Sequence, residues 1–169
     1  MEKDELMILR YQSQDFFLCM FPLLRRLNFQ PLENGGFIKI MIKNVKLGRV
    51  EFVTKMLRTF PELVLCVEES TGRNIFMLAV LYRQDEVFHL LCRSPSKIPM
   101  LDVDFDSNSI LHIAAMLEPS AKSNKAPGAA LLMLREVQWL KVISLTLYIY
   151  IYIKYFNDEL CSVLSWFYD

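Results

Sequence analysis

The sequence predicts an all-α chain, a solenoid of about three degenerate helix-turn-helix repeats, and three observations predict it. Gly72-Arg73-Asn74-Ile75-Phe76-Met77-Leu78-Ala79 and Ser107-Asn108-Ser109-Ile110-Leu111-His112-Ile113-Ala114 lie 35 residues apart and share a polar opening, an Ile, a large apolar residue and a closing Ala. Val50-Glu51-Phe52-Val53 and Asp85-Glu86-Val87-Phe88 keep the same offset of 35. Between these landmarks apolar residues recur at three- and four-residue intervals, the spacing of one helix face. A fixed period of this length implies units that cannot cover their own apolar faces and stack to share a core.

Residues 1–34 predict a helical lead, with Leu6, Leu9, Phe16, Phe17, Met20, Leu23, Leu24 and Leu27 mostly three or four apart and Pro22 kinking or ending the first helix. Asn34-Gly35-Gly36 is a turn signal. Phe37–Lys46 suits a helix with Phe37, Ile40, Met41 and Val45 inward, ended by Gly48. Val50–Thr59 forms the second helix of that pair, with Phe52, Val53, Met56 and Leu57 on its apolar face and Pro61 stopping it. The turn Glu68–Gly72 opens the next pair, Asn74–Tyr82 and Asp85–Arg93, the latter with Val87, Phe88, Leu90 and Leu91 inward. Asp102–Ser107 opens the third. Its first helix is Ser109–Leu117, its loop Pro119–Pro127, and its second helix Gly128–Val142, with Ala130, Met133, Leu134, Val137 and Leu140 on one face. The organisation expected is therefore a lead over 1–34, a repeat region over 35–143 and a hydrophobic tail over 144–169.

Composition removes several function classes. Lys+Arg and Asp+Glu are both 19, so no net basic field exists to gather nucleic acid. Cys19, Cys66, Cys92 and Cys161 form no Cys-x-x-Cys pair, and their wide spacing suits buried thiols in a reducing compartment rather than a zinc site or a disulfide framework. The apolar run Phe16–Phe21 follows acidic residues and meets Pro22 and Arg25-Arg26 with no small-residue cleavage site, which argues against a signal peptide. Asp102-Val103-Asp104-Phe105-Asp106 has Ser107 and Ile113 where a calcium loop needs Gly and Glu, so the acids suit a polar inter-repeat turn. Nucleophile elbows, glycine-rich phosphate loops and His-Glu-x-x-His are all missing from the sequence. No catalytic, cofactor-binding or metal-ligating residue is assigned, no cofactor is expected, and His89 has only Cys92 near it in sequence. The residues that carry the repeat are Gly48, Gly72, Ala79, Leu111, His112 and Ala114. His112 is read as a structural group that pins the turn to its helix, and the candidate binding surface is the pair of turns Glu68–Arg73 and Asp102–Asn108.

The segment Ser109-Ile110-Leu111-His112-Ile113-Ala114 resembles the Thr-Pro-Leu-His-x-Ala signature of the ankyrin repeat, whose period is 33 residues. Asn74-Ile75-Phe76-Met77-Leu78-Ala79 is a degenerate copy with Met77 in place of His, and in the unit around Gly48 Asn44 occupies the Ala position. Adding Gly48–Val53, Phe60–Leu63 and Gly128–Trp139, residues 37–143 look like one subfamily: plant ankyrin-repeat proteins similar to the accelerated-cell-death and salt-tolerance group, which carry a C-terminal Pro-Gly-Gly membrane domain. The resemblance implies a non-catalytic scaffold for protein–protein interaction in defence or stress signalling, on the cytoplasmic side of a membrane in the full-length family, with this chain cytoplasmic or peripheral. It implies a protein partner of unknown identity and no nucleic acid, and membrane association through the family's missing domain rather than this chain.

After Val142 the family pattern is lost. The Tyr-Ile alternation Leu145–Phe156 resembles translated non-coding sequence, with 12 residues between Lys141 and Lys154, short of a membrane span. A monotopic or an aggregation-prone segment fits better than a span, and an aggregation-prone strand across Leu145–Ile153 or a misfit helix is preferred to a membrane anchor. Marginal stability is expected, because the family's last repeat is missing. Two other readings stand beside the scaffold: a truncated product of a gene-model error without independent function, and an enzyme with an unrecognised site.

Overall fold

Helix α1 begins at the glycine pair and runs Gly35–Lys46, seating Met41, Ile42 and Val45 in the core. The computed structural model describes residues 35–93, 98–116 and 129–168, with side chains over 36–93, 99–116 and 130–154; the expected lead over 1–34 and the loop Pro119–Pro127 lie outside them. Helix α2 spans Val50–Thr59 and buries Phe52, Val53 and Met56. Pro61, unable to donate, opens a short 3-10 turn, Pro61–Leu65, instead of continuing the helix. Helices α3 (Ile75–Leu81) and α4 (Asp85–Cys92) follow, then a second 3-10 turn, Ile98–Leu101, then α5 (Ile110–Ala115) and α6 (Ala129–Tyr168). Among the described residues the chain is all-α; an isolated antiparallel bridge joins Val67 to Asn74.

Helices pair within units and stack between them. α1 packs on α2, α3 on α4, and α5 on α6; along the stack α1 meets α3 and α3 meets α5, while α2 meets α4. The centre of this two-layer array is α3, whose seven residues, Ile75 through Leu81, are all buried. A helix that is apolar all round belongs inside, and α3 has a neighbour on each side. Its polar end is satisfied by Asn74, whose Oδ1 accepts from the Met77 N–H (3.0 Å) and whose Nδ2 donates to the Pro99 carbonyl (2.5 Å).

The backbone repeats with the period read from the sequence. α3 and α5 start 35 residues apart, as do α2 and α4. α1 ends in a left-handed residue, Gly48 (φ +67°), with the Gly48 N–H on the Val45 carbonyl and the Arg49 N–H on that of Asn44. α3 ends identically one period later: Arg83 (φ +54°) donates its N–H to Val80, and Gln84 donates to Ala79. Both are Schellman terminations. The turns preceding α3 and α5 also turn through left-handed residues one period apart, Gly72 (φ +72°) and Ser107 (φ +62°).

Leu57 and Leu90, expected inward, are half-buried and pack against the core, as Phe37 and Ile40 do. Several other expectations need correction. α5 stops at Ala115, short of the expected end at Leu117, because Met116 turns extended (ψ 145°). The stripe expected to face inward on the last helix faces out: Ala130, Met133, Leu134 and Val137 are exposed and Leu140 is half-buried. The packed side carries Glu136, Trp139, Ile143 and Leu147 instead, selected by Trp139, whose ring meets Phe88 edge-on at 6.2 Å and whose Nε1–H donates to the Val80 carbonyl. Nor does the helix end near Val142. It runs unbroken through the Tyr-Ile segment, where Leu147 is buried and Tyr150 and Ile151 pack against the core, so the strand reading of Leu145–Ile153 is wrong. No helix among the described residues is long and apolar enough to cross a membrane.

Candidate binding surface

The two polar turns lie side by side at one edge of the stack and are fastened to each other. The Phe105 N–H donates to the Thr71 carbonyl (3.1 Å), and the Phe105 ring lies over Gly72 so closely that a Cβ there would sit 2.3 Å from it. Beneath them Asp104 is enclosed, its side chain fully shielded from solvent. Its carboxylate accepts from the Asp106 N–H (3.0 Å), the Asn108 N–H (2.8 Å), the Asn108 Nδ2 and the Arg73 Nε (3.1 Å). Desolvation pushes this carboxyl up, but the Asn108 amides, the Arg73 guanidinium and the Asp106 N–H outweigh it and hold it below the ordinary carboxylate range. Glu68 behaves alike: burial opposes ionisation, and the Lys46 ammonium, the Thr71 hydroxyl and Arg73 more than offset it.

With Glu68 and Asp104 used internally, the ridge presents Glu69, Ser70, Asp102, Asp106 and the exposed apolar groups Val103 and Phe105. Phe105 is 71% exposed although it roofs Gly72. Beside the ridge a groove of about 510 Å³ runs along α1, floored by Ile38, Ile42 and Leu47 and edged by Lys43, Lys46 and Ser70. A second hollow, about 350 Å³, lies between α4 and α6 among Asp85, His89, Arg135 and Trp139. Among the described residues no group of three or more His, Cys, Asp or Glu side chains could hold a metal.

The residues assigned to the repeat occupy corresponding places. Ala79 and Ala114 are buried, and Asn44, at the same position one period earlier, is buried too. Leu111 is half-buried where its counterpart Phe76 is fully enclosed. His112 is exposed; its Nδ1 accepts from the Ser109 N–H (3.2 Å) and lies 2.9 Å from the Ser109 hydroxyl, forming one half of a capping box at the start of α5. Cys66 is buried, and desolvation pushes its thiol up to about 12, far from a nucleophile at neutral pH.

Sequence reasoning missed Arg83. Its side chain is nearly enclosed and ties α3 to both helices of the next unit: Nη1 donates to the Val80 carbonyl (2.8 Å), Nη2 to Met116 (2.6 Å) and Ala114 (3.3 Å), and the head pairs with Glu136 while lying 5.9 Å from the Trp139 ring. The signal available was its place 35 residues after Gly48. The Arg73–Asp104 pair was missed because its partners stand 31 residues apart in sequence.

No protein-family model matches this chain, no curated protein matches it, and no solved structure matches it.

Proposed function

We propose that the chain is a non-catalytic ankyrin-type repeat scaffold that binds a protein partner along its turn ridge. The observation that carries the reading is the 35-residue recurrence of helix starts, Schellman terminations and left-handed turn residues. That recurrence is what a stack of like units requires. Surface chemistry adds to it: the ridge offers Glu69, Asp102 and Asp106 around exposed Phe105, which fits a partner segment with basic residues and an apolar recess for the ring. The resemblance to the plant membrane-linked ankyrin group implies a role in defence or stress signalling beside a membrane.

The test is site-specific photo-crosslinking in plant extract. A crosslinker at Glu69 or Asp106 on the ridge is expected to give one discrete heteroadduct that excess unlabelled chain competes away. One at Lys55 or Arg58, exposed on α2, is expected to give none. Equal labelling from all four positions, or none from the ridge, sinks the reading.

A further inference from the structure

Helix α6 presents two opposite apolar faces, and only one is covered. Ile143 and Leu147 are buried against the stack, with Tyr150 and Ile151 half-buried beside them. On the other side Val142, Leu145, Tyr148, Ile149, Tyr152 and Ile153 are all 40% exposed or more. At 100° per residue these six fall within a sector roughly 140° wide. Leu131 and Leu134, also exposed, continue the sector toward the start of the helix. From Leu131 to Ile153 it is about 33 Å long. The charges on it have one sign: Arg135 and Lys141 are exposed there, and the single acid of that stretch, Glu136, lies on the opposite side, paired with Arg83.

We propose that this outward face of α6 docks the protein onto an anionic lipid bilayer, lying in the interface plane. Apolar and tyrosine side chains at the headgroup boundary, with cations and no acids among them, are what such a surface accepts. Charge decides between this occupant and a second copy of the chain. Between Leu131 and Ile153 a like face would set Arg135 and Lys141 against two more cations, with no carboxylate on that face among the described side chains, whereas an acidic leaflet supplies counter-charge along its whole area. The chain's formal charge is zero, so the attraction is local to this face. No helix among the described residues is both long and apolar enough to cross a bilayer, so the face is read as lying along the surface.

Flotation of the full chain, cleared of aggregate, tests this with two vesicle sets: phosphatidylcholine alone, and phosphatidylcholine with phosphatidylserine at about a third of the lipid. Binding to the anionic set is expected to exceed the neutral set at least about tenfold and to fall as salt rises. Ile149→Glu is expected to abolish flotation. Arg135→Glu with Lys141→Glu is expected to remove the preference for phosphatidylserine. These side chains are exposed, so circular dichroism and the urea midpoint should stay as in the parent chain. Equal binding to both vesicle sets, no flotation, or unchanged flotation of Ile149→Glu overturns the proposal. A concentration-dependent dimer that Ile149→Glu dissolves, seen by sedimentation without vesicle binding, would hand the face to a second copy instead.

Discussion

Asn44 sits in the core at a position where the next two units have Ala79 and Ala114. Its Nδ2 donates to the Ile40 carbonyl, but its Oδ1 is buried with no hydrogen-bond partner among the described residues. An orphaned buried acceptor costs about 1–3 kcal/mol. Asn44→Ala is therefore expected to stabilise the chain by about 1 kcal/mol after the small lost volume is counted, read as a higher urea midpoint at unchanged slope. The left-handed positions give a pair of opposite signs. Ser107→Gly should gain roughly 0.5–1 kcal/mol by relieving a positive φ. Gly72→Ala should lose more than about 1 kcal/mol, because it takes on that strain and displaces Phe105. Gly72 and Ser107 were already aligned in the sequence; what the alignment lacked was the backbone state, since Ser seldom marks a left-handed turn as Gly does. Asp104 adds a pH dependence. Its carboxyl is held below its ordinary value of 3.8, so its contribution is complete above that value and is lost as pH falls through the lowered one. Asp104→Asn is expected to cost about 2 kcal/mol at neutral pH, with the parent and variant unfolding curves converging in acid.

At the scale of elements, α1 to α4 were legible and α6 was not. α2 and α4 show their faces because each carries a single apolar stripe between polar ones, and Gly48 and Pro61 punctuate the chain where the helices stop. In α6, apolar residues stand on every side from Val142 onward, so spacing cannot select a face. The Tyr-Ile alternation also mimics a strand, yet a strand needs a partner edge, whereas a helix already running from Ala129 satisfies its own backbone. The chosen face depends on Arg83 and Trp139, contacts across more than fifty residues of sequence. Arg83→Ala should cost about 2–3 kcal/mol by stranding Glu136 and two carbonyls. Arg83→Gly should cost about 1 kcal/mol less, since it also relieves the positive φ. Hydrogen exchange should rise first across Glu136–Leu147 in both variants. Similar destabilisation by the two would place the residue's worth wholly in its side chain.

Across the whole molecule, stability is expected to be graded. α3 is covered on all sides, α1 and α5 flank it, and α6 holds through one face, so each outer unit leans on the one inside it. Native-state hydrogen exchange should show greatest protection in Ile75–Leu81, declining outward in both directions. The same stacking accounts for a surface of aligned turns, because like units repeated at a fixed step bring their turns to one edge. The stacking and the proposed binding ridge both depend on the 35-residue period in the backbone. The most direct test of it is an NMR determination of φ at Gly48, Gly72, Arg83 and Ser107 in the full chain. All four are expected positive, in two pairs one period apart. Negative φ at Arg83 and Ser107, with only the glycines left-handed, would mean that the units do not repeat and would contradict it.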